Sequence, residues 1–322
     1  MQDKLETVFG GSGFLGRYVV GALANDGWRV RAASRRPYLA GHLQPMGDVG
    51  QIHAVQANVR HENSVVGPIE GAESVVNLVG ISTKSSAQTF EDVNVGGARA
   101  VARAARKAGV KTLIHVSTIC AHPKSASRLG RTKAEGEAAV LEEFADAVII
   151  RPSLMFGAED RLFNRVAAFA RLSPLIPLIG GGRTKVQLVY VGDVAAAIAA
   201  ACAGLAKPGT IYELGGPDII SYRELVNHAL AWSGRRRWYV QIPYWLAKVA
   251  VAATAPMSDR MRPLTIDQMA MFRRPSLVSG NAIDEKRTLS SLGVERPRTM
   301  GSTVPQYLEQ FHPRGQFATY RG

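Results

Sequence analysis

Short runs of β-branched and aliphatic residues alternate with longer stretches of helical period through the first half of the chain. Leu5–Phe9, Trp28–Ala33, Gln51–Val55, Ser74–Val79, Thr112–Ser117 and Ala147–Ile150 read as strands. Phe14–Asn25, Val93–Ala108 and Lys133–Phe144 carry apolar residues at helical spacing and separate several of those runs. Strand, crossover helix and strand in repetition predict a parallel sheet with helices on both faces, the doubly wound α/β arrangement.

After Arg151 the pattern loosens into Pro- and Gly-rich connections, among them Ser173–Pro177 and the turn Gly180–Gly182. A strand near Val186–Val191, a helix near Val194–Gly204 and a strand at Thr210–Leu214 precede the breaker Gly215-Gly216-Pro217. Helical segments recur around Tyr222–Trp232 and Pro243–Ala255, ahead of a tail rich in Arg, Pro and Gly. The expected organisation is a sheet domain over residues 1–155, drawing also on 186–215, and a smaller lobe of substrate-binding or docking type over 156–322.

The strand Leu5–Phe9 runs into Gly10-Gly11-Ser12-Gly13-Phe14-Leu15-Gly16, a GxxGxxG string at the opening of a helix. One glycine permits the tight turn, a second lets a pyrophosphate approach the backbone, and a third lets helix and strand pack closely. The helix N-terminus offers N–H groups and a positive dipole end to phosphate. A glycine turn alone is weak evidence, but the strand-before, helix-after context makes this a dinucleotide loop and the sheet a Rossmann domain; no Gly-Lys-Ser/Thr follows, which excludes a P-loop.

The end of the second strand sets cofactor choice. An acidic residue there would accept from a ribose 2′-OH, whereas Ser34-Arg35-Arg36 would attract a 2′-phosphate, favouring NADP(H) over NAD(H). The alternative is a pair of solvated loop arginines. Asn58-Val59 after the third strand lie within reach of the adenine, and Leu78-Val79-Gly80 after the fourth line the cofactor's path.

Composition narrows the remaining classes. The chain has 322 residues, 46% hydrophobic and 20% charged, ordinary for a globular protein. Its two cysteines, Cys120 and Cys202, have no metal-ligand spacing, so no metal site and a reducing compartment are expected. The first strand pattern begins at Leu5, leaving no expected targeting peptide. The apolar stretches Ala195–Ala206 and Val249–Ala255 are shorter than the roughly 20 residues that span a bilayer. A cytoplasmic chain, soluble or peripheral, is therefore expected.

The formal charge is +13, and residues 221–322 contribute 15 Lys and Arg against 7 Asp and Glu. Such a balance suits an acidic partner, an anionic membrane or nucleic acid, or is simply solvated. No long basic run interleaves with aromatics, which argues against nucleic acid.

These residues resemble the extended short-chain dehydrogenase/reductase family. Besides the glycine loop, Val93-Asn94-Val95, His115-Val116-Ser117-Thr118, Arg151-Pro152-Ser153 and Val191-Gly192-Asp193-Val194-Ala195 stand in that family's order over about two-thirds of the chain. The nearer resemblance is to an atypical branch, that of the NADPH-containing accessory subunits of respiratory NADH:ubiquinone oxidoreductase (complex I) and their bacterial relatives. It rests on His115-Val116-Ser117 with Arg131–Glu137, on Pro177–Gly182, and late in the chain on Pro263–Gln268 and the stretch from Gln306 through Phe317.

Active members of the family pair a Tyr with a Lys four residues later on one helix face. By that resemblance Lys133 would sit near the nicotinamide ribose and lower the phenol's pKa, while Ser117 or Thr118 would hold the substrate oxygen. Four residues before Lys133 stands Leu129, which can neither donate nor accept a proton. His122 reads as an ordinary loop imidazole, and Arg128 is too basic to serve as an acid. Lys133, Ser117 and Asn94 then keep cofactor-binding or helix-positioning roles, with a purely structural role equally open for Asn94 and Ser117.

In the later lobe, Trp232–Trp245 reads WSGRRRWYVQIPYW, three arginines among aromatics. It suits an interfacial helix or docking arm, or an amphipathic helix covering its own lobe. The resemblance implies an accessory or assembly subunit with complex I subunits as partners and the basic lobe beside the membrane, on the inner face of the inner membrane or its matrix side. Two other readings stay open: an NADP-dependent reductase, epimerase or dehydratase, and a sensor of the NADPH/NADP ratio.

Overall fold

A computed structural model describes residues 4–83, 88–253, 266–271, 273–313 and 315. In chain order it holds β1 (Leu5–Phe9), α1 (Phe14–Asn25), β2 (Arg29–Ser34), β3 (Ile52–Gln56), α2 (Glu62–Ile69) and β4 (Ser74–Asn77). A wide π-helical turn, Glu91–Gly96, leads into α3 (Gly97–Lys107), then β5 (Thr112–Val116), α4 (Arg128–Glu143), β6 (Val148–Pro152) and β7 (Leu154–Phe156). There follow α5 (Phe163–Leu172), β8 (Leu175–Ile179), β9 (Lys185–Tyr190), α6 (Val191–Cys202), β10 (Ile211–Leu214) and β11 (Asp218–Ser221). The remainder is α7 (Tyr222–Trp232), β12 (Trp238–Ile242), α8 (Tyr244–Ala253), α9 (Ile266–Met271), α10 (Gly280–Asp284) and α11 (Met300–Leu308). Of the late segments that carry the family resemblance, residues 263–265, 314, 316 and 317 lie outside the described residues.

Two compact units result. The first comprises Met1–Pro152, Val191–Leu214 and Val278–Arg296; the second comprises Ser153–Tyr190, Gly215–Leu277 and Pro297–Gly322. The sequence places 186–215 wholly with the sheet domain, whereas Lys185–Tyr190 pairs with β7 and β11 and so sits in the second unit. The first unit instead takes Val278–Arg296, where the Glu213 N–H donates to the Arg287 carbonyl and the Ser279 N–H to the Glu213 carboxylate, at 2.9 and 2.8 Å.

In the first unit, seven parallel strands run in the order β10-β6-β5-β4-β1-β2-β3. The chain steps outward from β1 through β2 to β3, then returns to the other side of β1 for β4. That reversal opens a crevice at the carboxyl ends of β1 and β4. Val75, Leu113 and Ile149 meet Val101 of α3 and Val140 of α4 on one face, while α1 and α6 pack together on the other.

The second unit has a three-stranded sheet, β11-β9-β7, and a two-stranded parallel ribbon of β8 and β12. Its core joins Phe156, Phe163, Leu188, Leu225, Leu230 and Val304 under α5, α7 and α11. Part of the expected connection Ser173–Pro177 is strand: Pro177, which has no N–H, is tolerated because β8 has a neighbour on one side only. The helix expected from Lys133 begins five residues earlier, because the Ser127 hydroxyl caps it by accepting from the Gly130 N–H at 3.3 Å.

Candidate functional site

The glycine loop does what its spacing requires. Gly10 holds φ +81°, a conformation that side chains resist, and its N–H donates to the Ala33 carbonyl at 2.8 Å, fastening the turn to β2. A Cβ on Gly16 would stand 2.2 Å from the Gly10 carbonyl oxygen, so only glycine lets α1 approach the turn this closely. Gly13, which lines the crevice, is the N-cap of α1 and supplies no side-chain cap, so this helix end is available to an anion.

That crevice is a cleft of about 620 Å³. Gly10, Gly13, Ser34, Arg35, Arg36, Asn58, Val59, Leu78 and Val79, all named from sequence, line one and the same wall system. Phe14, Leu15 and Gly16 stand behind it in the first turn of α1. Sequence reasoning missed Arg60 and Gln88, which also line it. Only the position of Arg60, directly after Asn58-Val59, could have suggested it, and nothing pointed to Gln88. Among the described residues the lining holds three arginines and no carboxylate. The Asn58 Oδ1 accepts from the Arg60 N–H at 3.3 Å, folding this loop around the cleft's edge.

Asn94, Ser117 and Lys133 do not line the cleft but gather beside it. The buried Lys133 ammonium donates to the Val116 carbonyl at 3.1 Å, and a Cβ on cleft-lining Gly80 would stand 2.6 Å from its Nζ. The wide turn before α3 carries Asn94, whose Oδ1 accepts from the Ile81 N–H at 3.0 Å and whose Nδ2 donates to the Thr132 hydroxyl at 3.2 Å. Asn94 thus ties the lining strand end to α4. Thr118 continues past Ser117 into a turn, its carbonyl accepting from the Ala121 N–H at 2.9 Å.

Burial pushes the Lys133 pKa down to about 8, opposed by Glu137. His115 is pushed down to about 3, by burial first and by Lys133 second, and is neutral. Its Nδ1 lies 3.3 Å from the Asn77 amide nitrogen, so Nδ1 accepts and the proton sits on Nε2. That Nε2 and the Ser117 hydroxyl are buried without a hydrogen-bond partner. Leu129 is buried in the first turn of α4, one turn before Lys133. The cluster offers a cation and a hydroxyl, with an aliphatic side chain where an active dehydrogenase needs a phenol.

The first unit is therefore a dinucleotide-type fold with a glycine cradle at its switch point. The chain belongs to the NAD dependent epimerase/dehydratase family, which its residues 7–215 match, and so to the extended short-chain dehydrogenases/reductases. A relative from Arabidopsis thaliana, "NADH dehydrogenase (ubiquinone) 1 alpha subcomplex subunit 9, mitochondrial", is 39% identical over 292 residues, covering 86% of this chain and 71% of that protein. The "NADH-ubiquinone oxidoreductase 40 kDa subunit, mitochondrial" of Neurospora crassa is 29% identical, covering 97% of this chain and 80% of that one. Among solved structures, a dTDP-glucose 4,6-dehydratase from Streptomyces venezuelae with NAD bound aligns with a TM-score of 0.73 at 20% identity, covering 94% of this chain and 95% of its own. An NADPH-dependent quinone oxidoreductase from Escherichia coli, complexed with NADPH, aligns at 0.71 and 21% identity, covering 92% and 97%. These structures share the fold. Among the described residues no helix is long and apolar enough to cross a membrane, and no cluster of metal-ligating side chains occurs.

Proposed function

We propose that this chain is an NADP(H)-binding accessory or assembly subunit of a respiratory NADH dehydrogenase (complex I), holding its dinucleotide as a resident ligand with little or no turnover. The observation that carries the reading is Leu129, buried one helical turn before Lys133 in a site whose cradle is otherwise intact. The complex I subunits among its relatives supply the partner. When bound, the nicotinamide of such a ligand supplies hydride donation or acceptance; the chain's own residues position and enclose it. Gly10 and Gly13 would cradle the pyrophosphate, with Phe14, Leu15 and Gly16 setting the helix behind it. Asn58, Val59, Leu78 and Val79 would wall the adenosine side, and Lys133 and Asn94 would hold the ribose end. A bound dinucleotide stabilises the folded chain by mass action without any chemistry.

Ser34, Arg35, Arg36 and Arg60 support NADP(H) over NAD(H), because among the described residues the lining offers cations and no carboxylate to a 2′-phosphate. Replacing Arg35 and Arg36 together by Ser is expected to weaken NADPH binding by roughly 10²-fold or more while leaving NADH nearly unchanged, on the basis of charge-assisted bonds of about 1.5–3 kcal/mol each. Equal losses for both nucleotides in calorimetric titration would remove the arginines' assigned role. The expected location is cytoplasmic, peripheral on the inner face of the membrane carrying the complex, or the matrix side in a eukaryote. The decisive experiment is to identify the nucleotide that purifies with the chain and to ask whether added carbonyl substrates oxidise it in place. Purification that always leaves the chain apart from the respiratory complex overturns the subunit reading.

A second reading, an NADP-dependent reductase, epimerase or dehydratase, is favoured by the buried, unpartnered Ser117 hydroxyl, one residue after the Val116 carbonyl that Lys133 bonds. Substrate-dependent hydride transfer that Lys133→Ala abolishes would establish it.

A further inference from the structure

The ribbon of β8 and β12 carries apolar residues on both faces, with the exposed Gln241 opposite Leu178 as the polar exception. Ile176, Leu178 and Tyr239 turn inward onto the core of the second unit. The alternate positions, paired in register as Leu175 with Trp238, Val240 with Pro177 and Ile242 with Ile179, form the other face. Trp238 is 74% exposed there, and Leu175 and Val240 are exposed beside it.

This face continues at both ends. The Trp238 N–H donates to the Pro174 carbonyl at 3.1 Å and the Arg237 Nε to the Ala170 carbonyl at 2.8 Å, which joins it to the end of α5, where Leu172 is 88% exposed. At the other end Tyr244 packs over Gly180 and starts α8, which exposes Trp245, Leu246 and Val249. Isolated exposed apolar residues are ordinary, but a contiguous set on three adjoining elements marks an interaction surface.

Charge identifies what covers it. Residues 171–180 and 235–249, which build this surface, contain one and four Lys or Arg and no Asp or Glu. Arg171, Arg236 and Lys248 are exposed along it. We infer that the outward face of the β8–β12 ribbon, with the exposed side of α8, docks on an anionic phospholipid surface, its tryptophans and aliphatics entering the headgroup layer and its cations meeting lipid phosphates. Indole rings favour that interfacial depth, and basic residues beside it add attraction to acidic headgroups. An acidic protein would satisfy the cations but leaves two protruding indoles and a flat aliphatic ribbon without apolar cover. The inference stands on the second unit's surface and does not depend on the dinucleotide or on complex I.

The test is flotation of the purified full chain with vesicles of phosphatidylcholine alone or mixed with phosphatidylglycerol, at low and high salt. Binding is expected only to the mixed vesicles, and brominated lipids should quench the tryptophan fluorescence. Trp238→Ser with Trp245→Ser should abolish most of that quenching. Arg236→Glu with Lys248→Glu should weaken binding by roughly tenfold or more, from the attraction each cation contributes near such a surface. Cooperative thermal unfolding and hydrogen-exchange protection of α5, α7 and α11 at the parent level check that each variant's second unit is folded. No flotation with the mixed vesicles at low salt overturns the inference, as does flotation unchanged in both double variants. A chain that ignores vesicles but is retained by immobilised polyglutamate overturns it in favour of an acidic protein partner.

Discussion

The first unit carries 22 Lys and Arg against 19 Asp and Glu, while the second carries 17 against 7. In the first, charge is spent internally. Arg103 bridges Glu62 and Glu143, joining α2, α3 and α4, and Arg151 meets Glu137 and Glu213 below the cleft. Arg35, Arg36 and Arg60 line the cleft itself. In the second, cations outnumber the carboxylates that can pair with them, and apolar side chains lie outside as well as in. One unit brings its arginines to a cleft of small-ligand size, and the other carries a net excess of cations.

The strongest way to break this comparison is to remove a buried charge from the first unit. Arg151→Met leaves Glu137 and Glu213, both buried, without the guanidinium that donates to Glu137 at 2.6 and 2.9 Å. A loss of about 3–5 kcal/mol is expected. Denaturant unfolding followed by hydrogen exchange should place the lost protection in the first unit's peptides; a loss under 1 kcal/mol would show that this network is not what holds the sheet's edge.

Glu6 sharpens the same point through pH. Its carboxyl, fully buried beside Ser74 and Cys202, is raised from 4.5 to about 7, chiefly by burial and against a hydrogen bond from Ser74. The folded state therefore keeps a proton that the unfolded chain releases. Stability contributed by this group is full below about pH 4.5 and falls as pH rises through 7, by about 3 kcal/mol in all. Glu6→Gln should flatten that decline, so that the variant gains on the parent between pH 5 and 8. Parallel stability curves for the two proteins would remove Glu6 from the account.

What could be read from the sequence divides along the same line. The strands of the first unit are mostly apolar, and several are separated by helices of clear period, so β1 and α1 coincide with their expected limits. The arginines after β2 were legible because they occupy the place where a ribose would otherwise meet an acid. Arg60 was not, since an exposed cation in a loop has no local mark until the fold brings its loop to the cleft. The ribbon of β8 and β12 escaped for a related reason: residues 175–179 and 238–242 are partners only across a long separation, and a segment with two prolines reads locally as a connection. Likewise the segment Trp232–Trp245 is neither a helix nor a loose arm but the end of α7, a strand and the start of α8.

The smallest expected effect tests the second unit by itself. The Tyr307 hydroxyl donates to the Asp160 Oδ2 at 2.6 Å, tying α11 to the turn before α5. Asp160 is buried, yet its other oxygen accepts from the Leu162 and Asn164 N–H groups at 2.9 and 3.2 Å, so it holds the start of α5 whether or not the phenol is present. Tyr307→Phe removes one charge-assisted bond and leaves the carboxylate partnered, which limits the cost to about 1–2 kcal/mol. Exchange protection should fall in α5 and α11, while the NADPH affinity of the first unit stays at the parent value. If that affinity fell in step with the stability of α5 and α11, the two units would be energetically one body, and the division between ligand site and docking surface would have to be abandoned.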